Sequence, residues 1–130
     1  MKAYWDTSAL LKLIYTEPHS DRAVLAQQAS KQVFTWDWTR VESNAGVARR
    51  GGAHARKALL ALLSGIQWIK FDSQQYDSLI ELCVRHKLRS ADAGHLYCLM
   101  KLSEVLGEVT FVCFDSELVK AARKEGIKVF

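Results

Sequence analysis

Short, almost unbroken apolar runs alternate along the chain with longer stretches in which apolar residues recur every three or four positions. The first pattern suits buried strands and the second amphipathic helices. Lys2 to Trp5 reads as a strand closed by the capping types Asp6-Thr7-Ser8, after which Ala9 to Ile14 continues as a helix. Glu17-Pro18 suits the opening of a second helix running to about Ser30, since proline fits a first turn. Gln32 to Trp36 is β-rich, Thr39 opens a helix reaching Arg50, and Gly51-Gly52 breaks the chain before another helix from Ala53 to Leu63. Ile66 to Phe71 reads as a strand. Ser73 to His86 reads as an amphipathic helix with Tyr76, Leu79, Ile80, Cys83 and Val84 on one stripe. Ser90 to Leu106 predicts a long helix ended by Gly107, Val109 to Phe114 a buried strand, and Ser116 to Lys124 a last helix. Ile127 to Phe130 adds an edge strand.

Strands alternating with helices imply an α/β domain: a central parallel sheet of four to five short strands flanked by helices. With no repeat, linker or low-complexity stretch, and Pro18 the only proline, one domain spanning 1–130 is expected. In such sheets ligands gather outside the carboxyl ends of the strands. Hydrophobic residues at 49% and charged residues at 25% exclude a disordered chain. The net charge of +4 favours an anionic partner without identifying it. No apolar run approaches the ~18 residues of a membrane span, and the N-terminus has no signal-peptide core. Cys83, Cys98 and Cys113 sit in apolar runs without metal-ligand spacing, so they read as small buried residues of a reducing, cytoplasmic compartment.

The chemistry points to acids at element ends. Asp6 follows the first strand and Asp115 the strand Val109–Phe114, which puts both carboxylates at one sheet edge if those strands are parallel. Asp is also a common N-cap, and the pattern alone leaves either role open. Asp37 and Asp72 read as caps or turn residues. Glu42 stands in Thr39-Arg40-Val41-Glu42, which has the form of a capping box, yet it also points toward the same edge. Asp92 lies in the first turn of the long helix, where the helix dipole stabilises a carboxylate. Several carboxylates sharing one crevice would repel, and hard divalent cations would relieve that repulsion. No protein nucleophile or glycine-rich phosphate loop is in evidence.

Four segments together resemble the PIN-domain family, specifically its VapC-type toxins: Tyr4-Trp5-Asp6-Thr7-Ser8-Ala9-Leu10, Thr39-Arg40-Val41-Glu42, Leu88-Arg89-Ser90-Ala91-Asp92-Ala93-Gly94-His95-Leu96, and Phe111-Val112-Cys113-Phe114-Asp115-Ser116-Glu117-Leu118. Their order and spacing cover nearly the whole chain. The resemblance implies an acidic catalytic pocket in which Asp6, Glu42, Asp92 and Asp115 hold one or two Mg²⁺ or Mn²⁺ ions. It implies hydrolysis of RNA phosphodiester bonds by a metal-activated water, neutralisation by a cognate antitoxin, and a homodimer. Thr7 and Ser8 would help order the site. Cys113 departs from the pattern, because many relatives have Thr or Ser there, and a thiol is the weaker hydrogen-bond donor.

The remaining polar and aromatic residues have two readings each. Arg49, Arg50, His54, Arg56 and Lys57 surround Gly51-Gly52, and Arg85, His86, Lys87 and Arg89 lead into Asp92. Both groups either hold a phosphate backbone or complement helix ends; Arg49, Arg50, Arg56, Lys57 and Arg89 are the candidate RNA contacts. His95, three residues after Asp92, either supports the site or packs the helix. Trp36 and Trp38 are expected in the core or at a dimer interface rather than stacked on a base. Against the nuclease stand a non-catalytic RNA- or protein-binding module of the same fold and a receiver-type domain. The receiver fits poorly, since the first strand ends in a single Asp and no Lys follows the last long strand.

Overall fold

Four parallel strands form one sheet in the order β3-β2-β1-β4, which the computed structural model describes within residues 1–130. They are β1 (Lys2–Trp5), β2 (Gln32–Trp36), β3 (Gln67–Ile69) and β4 (Thr110–Val112). The helices are α1 (Thr7–Leu11), α2 (Ser20–Ala29), α3 (Thr39–Arg50), α4 (Ala55–Ser64), α5 (Tyr76–His86), α6 (Ser90–Leu106) and α7 (Ser116–Lys124). The period of two along each strand divides the side chains between two buried layers. Ala3, Trp5 and Val112 face α1 to α4, with Leu10, Ala23, Val47 and Leu59. Tyr4, Phe34, Trp36 and Phe111 face α5 to α7, with Leu82, Leu96, Leu99 and Leu118. Both sheet faces are covered, which is why the strands read as apolar runs rather than alternating ones.

The expected α/β architecture is therefore present, with differences at element ends. After Leu11 the α1 segment tightens: Lys12, Leu13 and Ile14 donate to carbonyls three residues back instead of four, so the helix stops short of Ile14. Pro18 lies in a turn rather than in α2, because His19 adopts a left-handed conformation with φ 71° before the helix starts at Ser20. The expected fifth strand is reduced to a bridge, Val129 beside Phe111, held by Phe111 N–H to Lys128 O at 2.8 Å and Phe130 N–H to Phe111 O at 2.9 Å. The apolar stripe of α5 is only partly covered. Leu82 is buried and Leu79 and Cys83 half-buried, whereas Tyr76, Ile80 and Val84 are exposed.

Helix α6 crosses β2 at a glycine. A Cβ on Gly94 would lie 2.0 Å from Cη2 of Trp36. That indole packs against Phe71 (centroids 6.2 Å apart) and His95 (5.6 Å) and is itself buried. Overpacking costs about 1–3 kcal/mol, and an overlap this deep belongs at the upper end. Replacing a helical glycine by alanine returns only about 1 kcal/mol. Gly94→Ala should therefore destabilise the fold by about 2 kcal/mol in urea unfolding; an unchanged or raised midpoint would show that Trp36 has another seat.

Candidate active site

Because every strand pair is parallel, all four carboxyl ends leave the sheet on one edge. Asp6 directly follows β1 and extends the ladder, its N–H donating to Val112 O at 3.1 Å. Asp115 follows β4 and precedes α7. Glu42 lies in the first turn of α3, which begins just after β2, and Asp92 in the first turn of α6. The four acids line one hollow of about 560 Å³ with Thr7, Ser8, Trp38, Arg49 and Arg89. Asp6, 5% exposed, forms its floor and Asp115, exposed, its rim.

The geometry separates capping from site-building residue by residue. Asp6 precedes α1 without a side-chain cap bond. Glu42 closes no capping box: α3 starts after Trp38, and Glu42 Oε1 instead accepts from Thr7 Oγ1 at 2.9 Å and meets His95 Nε2 at 3.0 Å. Asp115 does both, its Oδ1 accepting from Leu118 N–H at 2.9 Å while the residue lines the hollow. Asp72 caps the short 3-10 turn Ser73–Gln75 by accepting from Gln74 N–H, and Asp37 is an exposed turn residue; neither lines the hollow.

Beneath the hollow runs a buried hydrogen-bond chain. Tyr4 Oη lies 3.1 Å from His95 Nδ1, and His95 Nε2 lies 3.0 Å from Glu42 and 3.5 Å from Asp6 Oδ1. A carboxylate only accepts, so Nε2 carries the proton toward Glu42; Nδ1 accepts from the Tyr4 hydroxyl when the ring is neutral and donates to it when the ring is charged. His95 is fully buried and contacts two site acids, which joins the two roles its position left open. Thr35, Thr39 and Thr7 extend the polar network at 2.8 and 3.4 Å.

These contacts set the charges apart. Burial would raise the Glu42 carboxyl, but the hydrogen bond and charge of His95 and the Thr7 hydroxyl outweigh it and hold it below the ordinary value. Asp92 moves the other way: burial lifts it first, and the negative charges of Asp6 and Asp115 add to the rise, against weaker pulls from His95 and Arg89. The Cys113 thiol, buried and facing Asp6, is pushed far up and stays neutral, its Sγ 3.8 Å from Asp6 Oδ2 and 3.9 Å from the Asp115 carbonyl. The thiol thus bears on the floor acid as well as on Asp115. Ser8 also donates to Asp6 Oδ2.

No three His, Cys, Asp or Glu side chains close into a ready-made ligand shell. The donor set is all carboxylate and spread around a wide hollow. That fits a hard cation such as Mg²⁺, which keeps several waters and takes only one or two carboxylates, better than a metal needing a dry cage.

Among the other candidates, Arg49 and Arg89 line the hollow. Arg50 pairs with Glu17 at 2.9 Å and stacks on Tyr15, 3.9 Å from its centroid, while Arg56 and Lys57 are exposed on α4. Trp36 is buried as expected. Trp38 is outside the core: it is 50% exposed and lines the hollow, because it stands in the β2–α3 turn, beyond the last strand position that faces the core. Trp and Asp alternation around a strand end carried no signal that one indole stays outside.

Since ionising Asp92 is disfavoured in the folded protein, its charge opposes folding above its raised folded pKa, and that penalty disappears below the ordinary unfolded value. Metal-free Asp92→Asn should therefore melt above wild type at neutral and alkaline pH, with the difference vanishing in the acid range. A variant melting below wild type at alkaline pH in EDTA would contradict crowding of the acids.

The PIN-domain family model matches residues 3–124. Ribonuclease VapC47 of Mycobacterium tuberculosis (strain CDC 1551 / Oshkosh) is 32% identical over 127 residues, covering 95% of this chain and 91% of that protein. Two solved structures share the fold. PAE2754 from Pyrobaculum aerophilum matches with TM-score 0.69 at 21% identity over 99% of this chain and 89% of that one. FitAB bound to an IR36 DNA fragment matches with TM-score 0.71 at 18% identity over 98% and 93%. Acids converging at the carboxyl edge of a parallel sheet, a family match across nearly the whole chain and a VapC relative agree: the chain belongs to the PIN-domain family and is of the VapC type.

Proposed function

We propose that this protein is an endoribonuclease toxin, neutralised by a cognate antitoxin, that hydrolyses RNA phosphodiester bonds with Mg²⁺ or Mn²⁺ in its acidic hollow. One observation carries the reading: Asp6, Glu42, Asp92 and Asp115 come from four separate segments to line one cavity, and Glu42 is held there by Thr7 and His95 rather than by its own helix. The 32% identity to a ribonuclease of the VapC group supports the same activity.

Asp6 and Asp92 would hold the ion, with Glu42 and Asp115 as further oxygen donors. When bound, the divalent ion neutralises the crowded acids and activates water for attack on phosphorus. The chain's own part is positional. The Tyr4–His95 pair orients Glu42, and such outer contacts fix the angle at which a ligand presents its oxygens. Glu42, held ionised, and Asp6, receiving the Ser8 hydroxyl, keep acceptors aimed into the hollow. Arg49 and Arg89, on the wall, offer charge-assisted hydrogen bonds to the scissile phosphate and its neighbour. The exposed Trp38 at the mouth provides a face for a base, and Arg50, Arg56 and Lys57 a flanking basic surface.

The homodimer is supported by the face α5 leaves open, since Tyr76, Ile80 and Val84 stand one turn apart in an exposed apolar row that suits a second copy of the same row. A cytoplasmic setting is supported by three cysteines that are all unpaired. No helix is long and apolar enough to cross a membrane.

Purified protein should cut RNA with Mg²⁺ or Mn²⁺ and stop in EDTA, and Asp6→Asn and Asp92→Asn should each abolish cutting while remaining folded. Cutting that persists in EDTA refutes the metal mechanism; wild-type rates in both variants refute the pocket; and a folded wild-type protein that binds RNA without cutting is a binding module. Ile80→Asp should convert a dimer to a monomer in sedimentation, and an unaffected dimer would place the interface elsewhere.

A further inference from the structure

A second hollow, of about 280 Å³, lies between the C-terminal end of α5 and the flank of α7, and its lining is basic. Arg85, His86, Lys87, Lys120 and Lys124 form it with Glu117 and Ala121. Arg85 is occupied by Glu81 and by Glu125 at 2.6 Å, and His86 by Glu125 at 2.7 Å. Lys87, Lys120 and Lys124 are exposed and no carboxylate lies within 4.0 Å of any of them. Three unpaired cations therefore face one cleft, with Glu117 as its uncommitted acid.

Helix dipoles account for part of this, since Lys87 and Lys124 sit at helix C-termini. They do not account for Lys120, in the middle of α7, nor for the backbone at Lys87. Lys87 terminates α5 in the left-handed region, φ 54°, where glycine is the relaxed residue. The chain accepts that strain at a position whose side chain lines the cleft.

The cleft adjoins the acidic hollow along two segments. Lys87 is two residues from Arg89, and Glu117 two residues from Asp115, and both Arg89 and Asp115 line the acidic hollow. Two residues span no more than about 7 Å. We propose that this cleft is the phosphate track of the substrate, in which Lys87, Lys120 and Lys124 hold the RNA backbone on one side of the cut. The inference rests on the ribonuclease reading. A protein partner is the weaker occupant, because Ala121 is the single apolar residue in the lining and offers no anchor for an interface. Lysines, as mobile point charges, hold a backbone without reading its sequence.

The test is binding of a labelled, unstructured single-stranded RNA in EDTA, which prevents cutting, measured across a salt series with melting temperature as a folding control. Losing two single-strand phosphate contacts should reduce the salt slope by about 1.4 and weaken binding by about one order of magnitude in low salt. Lys120→Ala/Lys124→Ala should show this, whereas Lys31→Ala, near the opposite edge of the sheet, should not. Lys87→Gly should weaken RNA binding while its melting temperature holds or rises. The track is overturned if the double variant keeps the wild-type slope, if inorganic phosphate competes with RNA at comparable concentrations, or if only neutralisation by the antitoxin is lost. Wild-type cleavage retained alongside an unchanged slope would sink the track and leave the nuclease standing; wild-type protein that neither binds nor cuts RNA would sink both.

Discussion

Mutual repulsion among carboxylates gathered at one sheet edge is the constraint on which the rest of the molecule depends. The parallel sheet makes the gathering unavoidable: β1 and β4 release Asp6 and Asp115 on the same side, and the helices after β2 and α5 bring Glu42 and Asp92 to meet them. The fold then divides the load unequally. Glu42 is held ionised by His95 and Thr7, whereas Asp92 has its carboxyl raised by burial and by its acidic neighbours. One acid is stabilised from beneath and another is left in want of a cation.

The apolar layers serve this arrangement. Tyr4 belongs to the core facing α5 to α7, yet its hydroxyl reaches His95 and so ties the packing of β1 to the orientation of a site acid. Gly94, next to His95, lets the Trp36 indole pass under α6 and keeps that helix close enough for His95 to reach Glu42. Core and site are coupled through two adjacent residues of one helical turn.

Much of this was legible in the residues. Buried parallel strands announce themselves as apolar runs, so β1, β2 and β4 were readable, and with them the edge where Asp6 and Asp115 emerge. The grouping of Glu42 and Asp92 with those two came from resemblance, because a capping box and a first-turn acid explain them equally well until Glu42 is seen to bond across to another segment. Other features were illegible for physical reasons. A 3.6-residue period shows that α5 has an apolar stripe but not which edge of it faces inward: Leu79 and Cys83 pack against the core, while Tyr76, Ile80 and Val84 stand outside. Trp38 follows the same composition rule as Trp36, and only the turn after β2 separates a buried indole from an exposed one. The basic cleft joins residues some thirty positions apart, Lys87 with Lys120, and no local pattern relates them.

The central claim is that the crowded acids demand a divalent cation. Crystals grown with Mn²⁺ and measured for its anomalous scattering test it most directly. A peak in the hollow within coordinating distance of Asp6 or Asp92 is the predicted result, and it should vanish in Asp92→Asn crystals. A hollow free of manganese at saturating concentration, with the four carboxylates unmoved, would contradict the account.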